Sequence, residues 1–251
     1  MTEPDKRNIV LDLDDTIIHT VVLSKSDHTN IMKYSCCPNM LVQFDDMTHR
    51  NIVFYRPFVF DFIRKIATNH NLYVYTHGTE MYCKIVISVL TNLMNFNPFQ
   101  KMYWRVDGNV RTKDLGLLGL SPHNTIIIDD NHRVWNVTPD NVIVIKPYSG
   151  PQHDSEYTAD TELLKVMKIL SEIHILCTVS PELLSDIIKD KNIEYQKRHL
   201  IAPKTDITII ELLADKVLST EISIGKDDAE PDDPEYWRRY DILHGFNEWY
   251  T

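Results

Sequence analysis

Three carboxylates within four positions, Asp12, Asp14 and Asp15, stand at the end of the apolar run Asn8-Ile9-Val10-Leu11. Asn8 to Leu13 reads as a short buried strand. The two-residue period of a strand puts Asp12 and Asp14 on one face at its carboxyl end. Carboxylates this close repel each other, and a hard divalent cation offsets that repulsion. Mg²⁺ fits, because it takes one or two protein carboxylates, several waters and a phosphate oxygen. Taken alone, the run could equally pass into a solvated acidic turn. A second run, Asn124 to Ile128, discharges into Asp129 and Asp130. Between the two, Asn71 to Tyr75 ends in Thr76, and Lys113 follows within Arg111-Thr112-Lys113-Asp114-Leu115. If the three runs neighbour one another in a parallel sheet, their polar ends meet at its carboxyl edge, where open α/β sheets bind ligands.

The order Asp-x-Asp-x-Thr, Thr, Lys, Asp-Asp resembles the four motifs of the haloacid dehalogenase (HAD) superfamily of phosphotransferases. Five segments narrow the resemblance: Leu11 to His19, Tyr55-Arg56-Pro57, Val74 to Tyr82, Lys113-Asp114-Leu115 and Ile127 to Trp135. Together they are similar to the phosphatases of the RNA polymerase II C-terminal domain. Val134-Trp135 and the Leu163-Leu164 to Ile173-His174 helix look closer to the transcription-factor-associated branch than to the small branch. The resemblance runs from about Lys6 to Cys177.

It implies an α/β, Rossmann-like HAD fold: a central, mostly parallel sheet flanked by helices, capless, with small β-hairpin insertions. Residues 1–178 would form the catalytic domain and 179–251 a mainly helical extension. Asp12 would be the nucleophile that forms an aspartyl-phosphate, and Asp14 the acid/base. Thr76 and Lys113 would hold phosphoryl oxygens. Mg²⁺ would be held by Asp12, the backbone carbonyl of Asp14 and Asp130, with Asp129 in support. Thr16 is expected to bond its own turn and Trp135 to pack. The implied activity is that of a Mg²⁺-dependent phosphoserine/phosphothreonine protein phosphatase in the nucleus, with the polymerase tail as a candidate substrate. Two alternatives stand beside it: a silent phosphoprotein-binding scaffold on the same fold, and a phosphatase acting on a small-molecule or lipid phosphate.

Composition narrows the partners. The net charge of −10, from 36 acids against 26 bases, argues against a direct nucleic-acid binder, whose affinity comes largely from neutralising phosphates. Phosphate attraction must then be local; Arg105, Arg111, Lys113 and Arg133 fall in the segments that should surround the mouth, and all but Lys113 read as a solvated basic face. Cys36, Cys37, Cys83 and Cys177 form no Cys-x-x-Cys pair and read as reduced thiols of an intracellular protein. Met1 to Arg7 carries no signal-peptide pattern. No apolar run approaches the roughly twenty residues needed to span a bilayer, so no membrane partner is expected.

The connecting elements follow from periodicity. After a loop, Met40 to Phe44 and Asn51 to Tyr55 suggest a hairpin. Pro57 opens a helix with Val59, Phe60, Phe62, Ile63 and Ile66 at helical spacing. A second helix runs from about Thr79 to Met94, with Met81, Ile85, Val89 and Met94 facing the core. Asp107-Gly108-Asn109 marks a turn between two short strands. Asn141 to Ile145 closes the sheet, and Asp160 or Thr161 caps a helix reaching Cys177. Two further helices are expected at Ser180 to Lys189 and Thr205 to Leu218. The acidic run Asp227 to Glu235 and the aromatics Trp237, Tyr240, Phe246, Trp249 and Tyr250 make either a docking element for a protein partner or a flap on their own domain. His19, His28, His123, His132 and His174 are assigned to surface or core rather than to metal ligation. With no cap insertion, the mouth would be open to a phosphorylated protein segment.

Overall fold

The computed structural model describes residues 6–35, 37, 39–105, 112–151, 160–179 and 184–200. Strand β1 (Arg7–Leu11) is the centre of a five-stranded parallel sheet. It pairs on one side with β5 (His70–Tyr75) and on the other with β7 (Thr125–Asp129). The edges are β6 (Phe99–Tyr103) and β8 (Val142–Val144), giving the order β6-β5-β1-β7-β8. A parallel sheet covered on both faces needs near-continuous apolar strands, and β1 supplies one: Ile9, Val10 and Leu11 are all fully buried.

Strand alternation divides the core in two. Ile9, Leu11, Leu72, Val74, Ile126 and Ile128 join the apolar cluster that includes α2 (Val59–Asn69), α3 (Glu80–Met94), α5 (Glu162–Val179) and α6 (Leu184–Leu200). Val10, Tyr75 and Ile127 meet Trp135 and the short helix α4 (Leu115–Leu118). The α/β expectation, a parallel sheet flanked by helices, therefore describes the molecule.

Between β1 and β5 the chain builds more than a hairpin. Strands β3 (Met40–Asp45) and β4 (His49–Tyr55) pair as expected, but β2 (Ile18–Ser24) pairs antiparallel to β4 as well. The result is a three-stranded sheet, β2-β4-β3, joined by helix α1 (His28–Ser35) where the sequence suggests a loop. Strand β2 is hard to read because Thr20 and Ser24 interrupt the apolar face begun by Ile18, and Val22 on that face is exposed.

Other details move by a residue or a partner. The inward stripe of α3 is Cys83, Val86, Ile87, Leu90 and Met94, whereas Met81 is exposed and Ile85 and Val89 are half-buried. Strand β6, taken as half of a hairpin, instead extends the main sheet parallel to β5. The Asp107-Gly108-Asn109 turn and Arg111 lie outside the described residues, as do Cys36, the Thr205 to Leu218 helix and the acidic-aromatic tail. The first compact unit runs to Gln196 and takes in most of α6. Helix α6 is anchored in it: Leu184, Ile188 and Tyr195 are buried, and Asn192 accepts a hydrogen bond from the backbone N–H of Val144 at 3.1 Å.

Candidate active site

The carboxyl ends of β1, β5 and β7 bring the expected side chains to one place. Beyond β1 the Asp12 N–H continues the ladder to the Ile128 carbonyl at 3.0 Å. The chain then turns tightly, the N–H groups of Thr16, Ile17 and Ile18 all pointing at the Leu13 carbonyl. Asp15 takes a left-handed conformation there, φ 59°, which Asp tolerates better than most residues.

Lys113 is 2 % exposed and lies between two carboxylates. Its Nζ is 2.8 Å from Asp12 Oδ1 and 2.7 Å from Asp129 Oδ2. The rings of Tyr75 and Trp135 stand 5.8 Å and 5.7 Å from the same nitrogen. Burial alone would push the Lys113 ammonium down, but the two carboxylates outweigh it and hold the pKa above its usual value.

Asp129 is held on both oxygens. Oδ2 accepts from Lys113 and from the Trp135 indole Nε1 at 2.8 Å, and Oδ1 accepts from the Asn131 N–H at 2.8 Å. Asp130 is half-buried. Thr16 reaches across to it, donating from Oγ1 to Asp130 Oδ1 at 3.3 Å and accepting from the Asp130 N–H at 3.1 Å. The Thr16 hydroxyl thus spans two motifs rather than bonding only its own turn.

Asp14 points to a different neighbourhood. Its Oδ1 accepts hydrogen bonds from the Tyr82 hydroxyl and from Thr20 Oγ1 at 3.3 Å, and its Oδ2 accepts from Thr76 Oγ1 at 3.4 Å. Thr76 is fully buried and also accepts from the Gly78 N–H at 2.9 Å.

The electrostatics describe a site short of positive charge. Burial raises the pKa of Asp12 well above the carboxylate range, with Asp129 and Asp14 adding repulsion and Lys113 opposing them. Burial likewise raises Asp14. For Asp130, burial and then the charges of Asp129 and Asp15 push the value up to about 6. Carboxylate oxygens of Asp12, Asp129 and Asp130 lie within 4.8 Å of one another. An all-oxygen donor set with one ammonium among several acids suits a small hard cation, and Mg²⁺ fits these residues.

Sequence reasoning missed two members of the site. Trp135, expected only to pack, is fully buried and orients Asp129 through its indole N–H. Tyr82 sits on α3 with its hydroxyl on Asp14. A buried Trp or Tyr usually finds a partner for its polar end, and each of these lies six residues beyond a motif residue, Asp129 or Thr76. Arg105 and Arg133 are exposed.

The family model described as NLI interacting factor-like phosphatase matches residues 7–180. This chain belongs to that family. As an NLI interacting factor-like phosphatase it shares 28% identity over 171 residues with a protein of Dictyostelium discoideum named "Probable C-terminal domain small phosphatase", covering 66% of this chain and 50% of the relative. It is 27% identical over 200 residues to "RNA polymerase II C-terminal domain phosphatase-like 4" of Arabidopsis thaliana, covering 68% of this chain and 44% of that one. Among solved structures it resembles "The Structure of Fcp1, an essential RNA polymerase II CTD phosphatase", with 21% identity, a TM-score of 0.48, and coverage of 80% of this chain and 66% of that one. The chain spans about half the length of the curated relatives it matches. Among the described residues, no helix is long and apolar enough to cross a membrane.

Proposed function

We propose that this chain is a Mg²⁺-dependent phosphoserine/phosphothreonine protein phosphatase working through an aspartyl-phosphate at Asp12, in the nucleus, on segments such as the polymerase tail. The observation that carries the reading is the placement of Asp12 at 2.8 Å from Lys113 and in one carboxylate cluster with Asp129 and Asp130. A nucleophile, a buried cation and an acidic cation site are what phosphoryl transfer by positioning and charge stabilisation requires.

An Asp12 carboxylate oxygen attacks the phosphorus in line with the seryl or threonyl oxygen. The bond from phosphorus to that oxygen breaks, and Asp14 gives the leaving oxygen its proton. Burial, by raising the Asp14 pKa, favours the protonated form this step needs. In the second transfer a water attacks phosphorus, Asp14 takes one of its protons, and the electrons of the breaking acyl-phosphate bond return to Asp12. Inorganic phosphate leaves. Throughout, Lys113 and Thr76 steady the phosphoryl oxygens. Mg²⁺ would be held by Asp12, the Asp14 carbonyl and Asp130, with Asp129 in support, and would supply the charge that lets a phosphate dianion approach carboxylates.

A protein segment is favoured over a metabolite because the insertion after β1 is a small three-stranded sheet with one eight-residue helix. Enzymes that close over metabolites use larger lids to exclude water. The test is kcat/KM with Mg²⁺ on phosphopeptides against nucleotides, sugar phosphates and phosphatidic acid. Phosphopeptides should lead, and turnover should stop with chelator. A clear preference for any small metabolite over every phosphopeptide overturns the substrate reading, and no turnover of any ester leaves a scaffold.

A further inference from the structure

The two oxygens of Asp14 have unlike surroundings. Oδ2 faces Thr76, at the place assigned above to the phosphoryl group, while Oδ1 is occupied by the Tyr82 hydroxyl and Thr20 Oγ1. The Thr20 and Tyr82 oxygens are themselves 2.6 Å apart, closing a three-membered cluster. A phenol can donate at neutral pH, and with Oδ1 taken up by two hydroxyls the proton of a protonated Asp14 carboxyl belongs on the other oxygen. Here the other oxygen is the one toward the substrate.

The surrounding elements hold the phenol in place. Tyr82 lies in the first turn of α3, where its N–H donates to the N-cap Thr79 Oγ1 at 3.3 Å. Its ring meets Phe44 of β3 with centroids 6.0 Å apart. Gly78 leaves the ring its space, because a Cβ there would fall 2.5 Å from Tyr82 Cδ1. Thr20 comes from β2. The cluster therefore ties the small insertion sheet to a carboxyl on the main sheet's edge, using residues outside the four motifs.

We infer that Tyr82 is a positioning residue for the acid/base step, its hydroxyl fixing the Asp14 carboxyl so that Oδ2 presents the proton to the leaving oxygen. This rests on the reading of Asp14 as the acid/base. A positioned acid matters in proportion to the leaving group's need for a proton. A seryl oxygen cannot depart as an alkoxide, whereas nitrophenolate departs unaided.

The experiment compares kcat/KM, which includes the first transfer, on a phosphoserine peptide and on p-nitrophenyl phosphate. Asp14→Asn should lose about 10²–10⁴-fold on the peptide and far less on the aryl ester. Tyr82→Phe, which keeps the ring against Phe44, should lose about 10–100-fold on the peptide, the scale usual when a group that orients a functional ligand is removed. Its loss on the aryl ester should be small. Added to Asp14→Asn, Tyr82→Phe should cost nothing more, since residues acting as a unit are non-additive. Equal losses of Tyr82→Phe on both substrates, or a further loss in the double variant, overturn the inference while the acid/base reading survives. If Asp14→Asn itself loses equally on both, the acid/base reading fails first. Thr20→Val removes the third member of the cluster, and with it the phenol's 2.6 Å partner, while keeping Tyr82 itself, and should show the same selective loss at smaller size. Should Tyr82→Phe not fold, Thr20→Val decides, and a loss alike on both substrates rejects the inference.

Discussion

Replacing Lys113 by methionine removes the charge at the centre of the site while refilling much of its volume between Tyr75 and Trp135. The ammonium stands 2.8 Å from Asp12 Oδ1 and 2.7 Å from Asp129 Oδ2. At an effective dielectric of about 20, each contact carries roughly 6 kcal/mol of Coulomb attraction, or about 12 kcal/mol for the pair. Taking the ammonium out of water offsets several kcal/mol of this. What the variant then strands is two buried carboxylates beside Asp130. Removing one partner of a buried pair costs about 3–5 kcal/mol, and with two carboxylates left behind the loss should reach the upper end. Proton uptake by Asp12, whose pKa is already raised by burial, caps it there. About 5 kcal/mol is a large part of an ordinary domain's roughly 5–15 kcal/mol. The assay is urea unfolding near neutral pH with chelator present, read as a shift in midpoint at unchanged slope. With Mg²⁺ in excess the variant should regain more stability than the parent, because a ligand bound only by the folded state stabilises with the logarithm of its affinity and the variant's uncompensated carboxylates should hold a cation more tightly. A loss below about 1 kcal/mol in chelator would refute the reasoning, since Lys113 would then not be compensating those carboxylates.

Asp12→Asn should reduce turnover of a phosphopeptide by at least about a thousandfold, roughly 4 kcal/mol of barrier, with the far-ultraviolet circular dichroism of the parent; ordinary turnover by the folded variant rejects Asp12 as nucleophile. Arg56→Lys should destabilise by about 2–4 kcal/mol in urea, because the fully buried guanidinium binds Asp160 and donates to the Thr16 and Lys146 carbonyls at 2.8 Å each. An ammonium cannot reach all three, and an unchanged midpoint would contradict that role. His70 has its pKa lowered by burial, then by its basic neighbours, so the unfolded chain binds a proton that the folded one refuses. Its contribution is present above the unfolded value, about 6.5, and is lost as pH falls below it. His70→Gln should therefore flatten the fall in melting temperature over that acid range, and identical slopes in both proteins would remove His70 as the cause.

How much of this was legible in the sequence depends on how far each residue's role reaches. Asp12, Asp14, Thr76, Asp129 and Asp130 could be placed together because each ends or follows a short apolar run, and a parallel sheet has one carboxyl edge; Lys113 follows no such run and was placed only by its order among the motifs. Strand β2 was not legible, since Ile18 to Ser24 follows three acids and mixes polar with apolar side chains on its face. Its pairing is decided by β4, thirty residues on. The face of α3 could not be fixed from its own composition either, as nearly every position from Met81 to Leu90 is apolar and only packing chooses Cys83, Val86 and Leu90. Tyr82 and Trp135 escaped notice because an aromatic near an apolar stretch reads as packing until a carboxylate is found at its polar end.

The central position of β1 also orders events in time. Its two neighbours come from far down the chain, Asn8 pairing with Asn71 and with Thr125. During synthesis Asp12 and Asp14 emerge first, and their counter-charge, Lys113, and the Asp129-Asp130 pair emerge only after most of the domain. Until β7 docks, the first strand has one open edge and its acids lie in water rather than in a cation site. Pairings of such long sequence separation form late. On the function proposed above, a nascent or partly unfolded chain of this design would therefore be without hydrolytic power, and activity would report on completed folding rather than on the presence of the first motif.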